Sequence, residues 1–273
     1  MQAQKTASMH KRLERYNELS GFIEEDNEKK KRLNKPMKEN ISLDCGWGNL
    51  LFGQTFADHE ALIKQFSRER TSCRDIAIYT PNHHVLLSLA PELLFVDPSD
   101  TYRLWLSLYR PPARRSRAFT VRMLQNRNDA REINKIYSRC GMIEAPEDTI
   151  LKNQFTRVFC YYLAERTSDG KVIGVVSGID HKEAFNDPTN GSSLWCLCVD
   201  PDARASGVGR TLVREVAEHF IARGREYLDL SVMHDNKKAK NLYRSLGFRK
   251  IPVFAVKKKN TFNRKLYLGG PKK

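Results

Sequence analysis

The sequence predicts an α/β (α+β) fold, with helices flanking a mixed sheet and a smaller α/β region in front of it. Three observations predict it. Apolar residues make up 40 % of the 273 residues, enough to build a core rather than a disordered chain. From residue 118 onward the apolar pattern changes repeatedly between strand and helix periodicity. A stretch rich in proline and arginine, 111–117, reads as a linker that separates this part from shorter elements upstream.

Residues 1–40 are dominated by Lys, Glu, Asn and Gln and form a flexible charged segment, with a loose amphipathic helix at 9–22. Residues 41–110 follow as a small α/β domain. Its expected elements are a strand at 50–56, a helix at 58–68 opened by Asp58 as cap, and strands at 75–79 and 85–89. Ser99 can cap a further helix to about Tyr109, because Tyr102, Trp105, Leu106 and Tyr109 fall on one stripe. The main domain spans 118–258. A strand at 119–124 precedes a helix at 129–139, with Ile133 and Ile136 on its apolar side, and a short helix at 146–153. Segments 158–165 and 172–180 form a hairpin around Ser168-Asp169-Gly170. A buried strand at 194–199 runs toward a long helix at 207–223, in which Leu212, Val213, Val216 and Phe220 recur at helical spacing. A strand at 227–232, a helix at 237–246 and a closing strand at 248–256 complete it. Residues 259–273 are a basic tail.

The net charge of +15 lies in two segments. Arginines crowd between Arg110 and Arg131 against the single acid Asp129, and no acid occurs from Arg249 to Lys273. Such clusters suit a polyanion, or else a solvated face and a tail. Nucleic acid is not expected as a partner, since no recognition pattern of interleaved basic and aromatic residues accompanies them. No run approaches the roughly 20 apolar residues of a membrane helix, and 1–16 lacks the apolar core of a secretory signal. A soluble, cytoplasmic protein is the expectation. The six cysteines are too sparse for a disulfide framework. Cys196 and Cys198 are expected on one strand face as buried filler, and no metal is expected because further ligands are lacking nearby.

Chemistry is concentrated in Leu197-Cys198-Val199-Asp200-Pro201-Asp202-Ala203-Arg204-Ala205-Ser206-Gly207-Val208-Gly209. A buried strand enters a turn, and the turn opens the long helix. Gly207 and Gly209 carry no side chain to keep a ligand from the backbone, and N–H groups converge where the helix dipole favours an anion. Arg204 and Arg210 add charge. A dinucleotide fingerprint would need a third glycine where Leu212 stands, and the spacing of a P-loop is absent. What remains is a cradle for some other phosphorylated ligand.

At these residues the chain resembles the GNAT superfamily of N-acyltransferases, which carries Leu-x-Val-x-Pro-x-x-Arg-x-x-Gly-x-Gly at its acetyl-coenzyme A site. Asn236-x-x-Ala239-x-x-x-Tyr243-x-x-x-Gly247-Phe248 matches a second family feature. The phrases at 43–48, 52–56, 190–196 and 229–236 are similar to the acetyltransferase half of bacterial N-acetylglutaminylglutamine synthetases, whose ATP-grasp half has no counterpart in these residues. The resemblance implies a mostly antiparallel central sheet and transfer of an acetyl group from acetyl-coenzyme A to a small amine, with a glutamine-like amino acid favoured as acceptor. It also implies Leu197 N–H on the acetyl oxygen, Val199 N–H and Cys198 along the pantetheine arm, and Arg204, Ala205, Ser206, Gly207, Val208, Gly209 and Arg210 around the diphosphate. Tyr243 is the expected general acid, and Asn236 either contacts the cofactor or caps a helix. Candidate bases are His234 and Asp180, expected with His181 at strand ends on the cofactor side. Asp180, His181, Ser192 and Ser193 are candidates for holding the acceptor. Other readings are a peptide N-terminus as acceptor, or a coenzyme A-binding module serving a separate ATP-grasp ligase. A homodimer is compatible with all of these.

Overall fold

The computed structural model describes residues 35–70, 73–111, 117–203 and 205–268. The expected helix at 9–22, most of the linker at 111–117, Arg204 and the end of the tail lie outside the described residues.

The N-terminal elements are β1 (Ser42–Asp44), β2 (Asn49–Phe52), α1 (His59–Ser67), β3 (Ile76–Ile78), α2 (His83–Leu89), β4 (Leu94–Val96) and β5 (Ser99–Trp105). Next come β6 (Phe119–Met123), α3 (Arg127–Arg139), α4 (Glu147–Gln154), β7 (Phe159–Arg166), β8 (Val172–Asp180), α5 (His181–Phe185) and β9 (Gly191–Val199). The chain ends with α6 (Val208–Ala222), β10 (Tyr227–Met233), α7 (Lys237–Ser245), β11 (Arg249–Ile251), β12 (Val256–Lys258) and α8 (Arg264–Tyr267).

These strands make two sheets, in the orders β1-β2-β3-β12-β4 and β11-β5-β10-β9-β8-β7-β6. Pairs are antiparallel except β2–β3 and β9–β10. The fold is therefore a mixed, mostly antiparallel α/β arrangement with flanking helices. Alternation along β9 sets its two faces. Leu194 points into a core shared with Leu212, Val216, Phe220 and Tyr243 of α6 and α7. Trp195 and Cys198 point the other way, toward Ile133 and Tyr137 of α3, Ile150 of α4 and Phe52 of β2. The Asp58 cap behaves as read, its carboxylate accepting from Ala61 N–H at the start of α1; α3 starts two residues before the expected 129, where Asn126 accepts from Asp129 N–H.

Three expected elements are corrected. Of residues 99–109, expected as a helix, 99–105 form strand β5 and 106–108 only a single 3-10 turn. Tyr102, Leu104 and Leu106 alternate into the core, and Arg103 between them is buried too, which disguises the period of two. Residues 85–89 belong to helix α2, with Leu86 in its own small core; an apolar run this short does not separate strand from helix. The closing strand at 248–256 is split at Pro252, which has no N–H to give a ladder. Its first part, β11, joins β5; its second, β12, crosses to the small sheet between β3 and β4. The two sheets thus exchange strands, and the linker at 111–117 does not separate them.

Three arginines of the cluster are matched by carboxylates. Arg122 pairs with Asp129 and Glu165, and Arg127 and Arg131 pair with Glu147. That favours a solvated face over a polyanion site for these three.

Candidate active site at the fork between two parallel strands

The central feature is a fork. β9 and β10 pair only at Tyr227–Gly191, Leu228–Ser192 and Asp229–Ser193. Beyond that rung β9 runs on to Val199 and β10 to Met233 without pairing, so residues 194–199 present a backbone edge to a gap. At about 3.3 Å per residue the edge is roughly 17 Å long. A bulge interrupts it. Val175 faces Cys198 and Ser177 faces Trp195, so β9 carries one residue more than β8 between these rungs, and Cys196 takes φ +52°. A non-glycine residue in that region is strained, and the strain re-aims the backbone at Leu197. Beside the bulge, Trp47, Tyr137, Tyr161, Trp195 and Ser177 help line a small pocket.

At the open end of the fork the chain turns into α6. Asp200 is buried and anchors the turn, accepting from Asp202 N–H and pairing with Arg139 and Lys171. Gly207 takes φ +82° and sits at the N-cap of α6 without a side-chain cap. A Cβ there would meet nothing within 4 Å, so the turn is open to solvent. The first bond within the helix runs from Thr211 N–H to Gly207 O, leaving Val208, Gly209 and Arg210 N–H without an intrahelical carbonyl. No acidic side chain occupies the first turn. Three amides at the positive end of a fifteen-residue helix are suited to an anion. Ser206 is exposed and Ala205 half-buried beside them, while the Arg210 guanidinium donates to Ser245 Oγ at 2.9 Å.

Tyr243 rises from α7 on the face of α6, packed against Phe248. Its hydroxyl bonds to no other described residue. Burial pushes the phenol up to about 12, and the proximity of Cys198 adds to this. Asn236 is the helix cap: its side chain accepts from Ala239 N–H at 3.0 Å. Cys196 and Cys198 share one face, as expected, and burial raises both thiols, Cys196 to about 12. They remain protonated filler.

The proposed bases do not gather. Asp180 faces Ser192 at the closed end of the fork, whereas His234 follows β10 at the open end, so the expectation that Asp180, His181 and His234 share one end is corrected. Asp180 is fully buried between Arg223 and Arg225, at 3.0 and 2.9 Å, and caps α5 through Glu183 N–H; two cations and a helix start hold it as a structural carboxylate. His234 is exposed, and its carbonyl accepts from Lys240. Ser192 is buried and donates to Tyr227 O. His181 and Ser193 meet at the closed end, with Nε2 and Oγ 2.9 Å apart.

Beside them lies a cluster that sequence reasoning missed. Arg103 of β5 grips Asp229 with two bonds of 2.7 and 2.8 Å, Tyr79 donates to the same carboxylate at 2.6 Å, and Arg103 stacks 3.4 Å from the Tyr227 ring. Taking 99–109 as a helix concealed it. An arginine set among the alternating apolar residues Tyr102, Leu104 and Leu106 was the available signal.

Among the described residues no group of three or more His, Cys, Asp or Glu side chains is arranged to hold a metal, and no helix is long and apolar enough to cross a membrane.

Residues 127–248 match the acetyltransferase (GNAT) family. An uncharacterized N-acetyltransferase from Methanocaldococcus jannaschii is 29 % identical over 117 residues, which is 37 % of this chain and 49 % of that protein. N-acetyltransferase 8B of Homo sapiens is 30 % identical over 128 residues, 45 % of this chain and 46 % of that one. The chain thus spans about half the length of these curated relatives. A GCN5-related N-acetyltransferase from Kribbella flavida superimposes with a TM-score of 0.54 at 13 % identity, covering 81 % of this chain and 90 % of that one, and shares the fold.

Proposed function

We propose that this chain, a GNAT-type acyltransferase over residues 127–248, moves an acetyl group from acetyl-coenzyme A directly to the amine of a small molecule. The likeness to N-acetylglutaminylglutamine synthetases favours an amino acid such as glutamine as acceptor. The fork running into an uncapped helix start carries the reading. A long, thin thioester ending in a diphosphate suits such a slot, with its anion on Val208, Gly209 and Arg210 N–H. Its amide-bearing arm suits the free edge of β9, with Val199 N–H as one donor. Leu197 N–H, re-aimed by the bulge, is the donor for the acetyl oxygen, and a preorganised donor of this kind contributes a few kcal/mol as charge develops.

The amine forms its bond to the acetyl carbon as the carbon–sulfur bond breaks. The departing thiolate takes the phenol proton of Tyr243. That phenol stays protonated throughout the neutral range, so it is always loaded when the thiolate charge develops beside it.

The test is thiol release from acetyl-coenzyme A across a panel of amines, with the acetylated product identified by mass. Glutamine or a glutamine-bearing peptide is expected to be turned over fastest. Coenzyme A binding without transfer to any amine would replace this reading with a binding module for a partner such as a ligase.

A further inference from the structure

Acetyl transfer releases a proton from the amine, and the positions of Asp180 and His234 suit neither to receive it. A connected set of side chains at the closed end of the fork does. Trp195 Nε1 lies 2.8 Å from Ser193 Oγ, Ser193 Oγ lies 2.9 Å from His181 Nε2, and His181 Nδ1 faces Asp187 Oδ2 at 3.6 Å. Ser193, His181 and Asp187 are 1 %, 0 % and 3 % exposed.

The direction of this chain is set by its ends. An indole N–H can only donate, so Ser193 Oγ accepts from Trp195 and keeps its own hydrogen to give to His181 Nε2. Asp187 is a carboxylate. Burial alone would raise it, but the facing His181 ring, Gly191 N–H and Thr189 carry it down to about 2. A carboxylate can only accept, so Nδ1 bears the imidazole hydrogen and Nε2 is left as the base. Ser, His and Asp stand in the order that activates a hydroxyl in serine hydrolases.

Charge balance points the same way. Asp229 is neutralised by Arg103, and Asp180 by Arg223 and Arg225 beside Glu183. Among the described residues Asp187 has no lysine or arginine partner, and the group facing it is His181. The rest of the imidazole is lined by Phe52, Tyr79, Phe185 and Tyr227, ring centroids 4.9–6.2 Å away, with the Tyr79 hydroxyl committed to Asp229. A buried carboxylate without a cation is costly, and protonation of His181 would supply one. Ser193 stands on the last rung before β9 and β10 part.

We propose that Ser193, His181 and Asp187 are a proton relay at the closed end of the fork. Through bridging water, Ser193 Oγ takes the amine proton while passing its own to His181 Nε2, and Asp187 holds the imidazolium charge. His181 and Asp187 act through Ser193 and are positioning residues. The proton returns through Ser193 to solvent after the product leaves, and Tyr243 regains its proton from solvent. The relay rests on the acetyl-transfer reading above.

Two measurements on the full chain test it. Nitrogen-15 spectra of the histidine rings, with His181 assigned by its loss in His181→Gln, are expected to show hydrogen on Nδ1 and a bare Nε2. In kcat/KM against pH with the best amine, His181→Gln and Ser193→Ala are expected to lose about 10²-fold and the acid limb, with acetyl-coenzyme A affinity kept. Hydrogen on Nε2 in the wild type overturns the relay even where a variant fails to fold. An acid limb retained in both folded variants overturns it as well. A wild-type chain that transfers to no amine fails in the first assay, which removes the acetyl-transfer reading and the relay with it.

Discussion

Tyr243→Phe is expected to lower kcat for acetyl transfer by about 10²-fold or more while leaving acetyl-coenzyme A affinity within about twofold. The phenol is buried, packs against Phe248 and bonds to no described side chain, so the ring keeps its contacts when the oxygen is removed. What is lost is a proton donor at the gap, beside Cys198. A thiolate leaving without that proton carries full charge into a site that burial has made unfavourable for charge, and the cost falls on the transition state alone. Steady-state kinetics with calorimetric binding separates the two effects. Equal loss in affinity and turnover would reduce Tyr243 to a packing residue.

Asp229→Ala is expected to destabilise the chain by about 3–5 kcal/mol, because it leaves Arg103 charged, buried and unpaired. Arg103 is 6 % exposed and Asp229 2 %, so water reaches neither well enough to compensate. Tyr79 loses its acceptor at the same time. Chemical denaturation measures the loss. Replacing Arg103 and Asp229 together by apolar residues of similar size is expected to recover most of it, since the penalty comes from the orphaned charge rather than from the absence of a pair. A single substitution costing under about 1 kcal/mol would mean that solvent enters this interface.

The turn into α6 was legible because its signals are local in the chain. Strand, glycine turn and helix start lie within residues 191–211, and the helix start leaves backbone amides free there; the bulge in β9 gave no such signal. The acceptor end was not, because it is assembled from distant segments. Tyr79, Arg103, His181 and Asp229 come from four elements, and their meeting depends on β5 entering the large sheet and β12 the small one. Ser193 and His181 were singled out as acceptor-site candidates, but their connection to Asp187 and Trp195 is a matter of three-dimensional distance. Asp180 looked equally suitable in one dimension. The two arginines that neutralise it lie more than forty positions away.

The most direct test of the account is a titration of the nitrogen-15-labelled full chain with coenzyme A, following backbone amides. The account predicts the largest shifts at Val208, Gly209 and Arg210, where N–H groups lack helical partners, with further shifts at Leu197 and Val199 along the open edge of β9. Saturable binding that leaves those amides unmoved, with shifts gathered elsewhere, would contradict it.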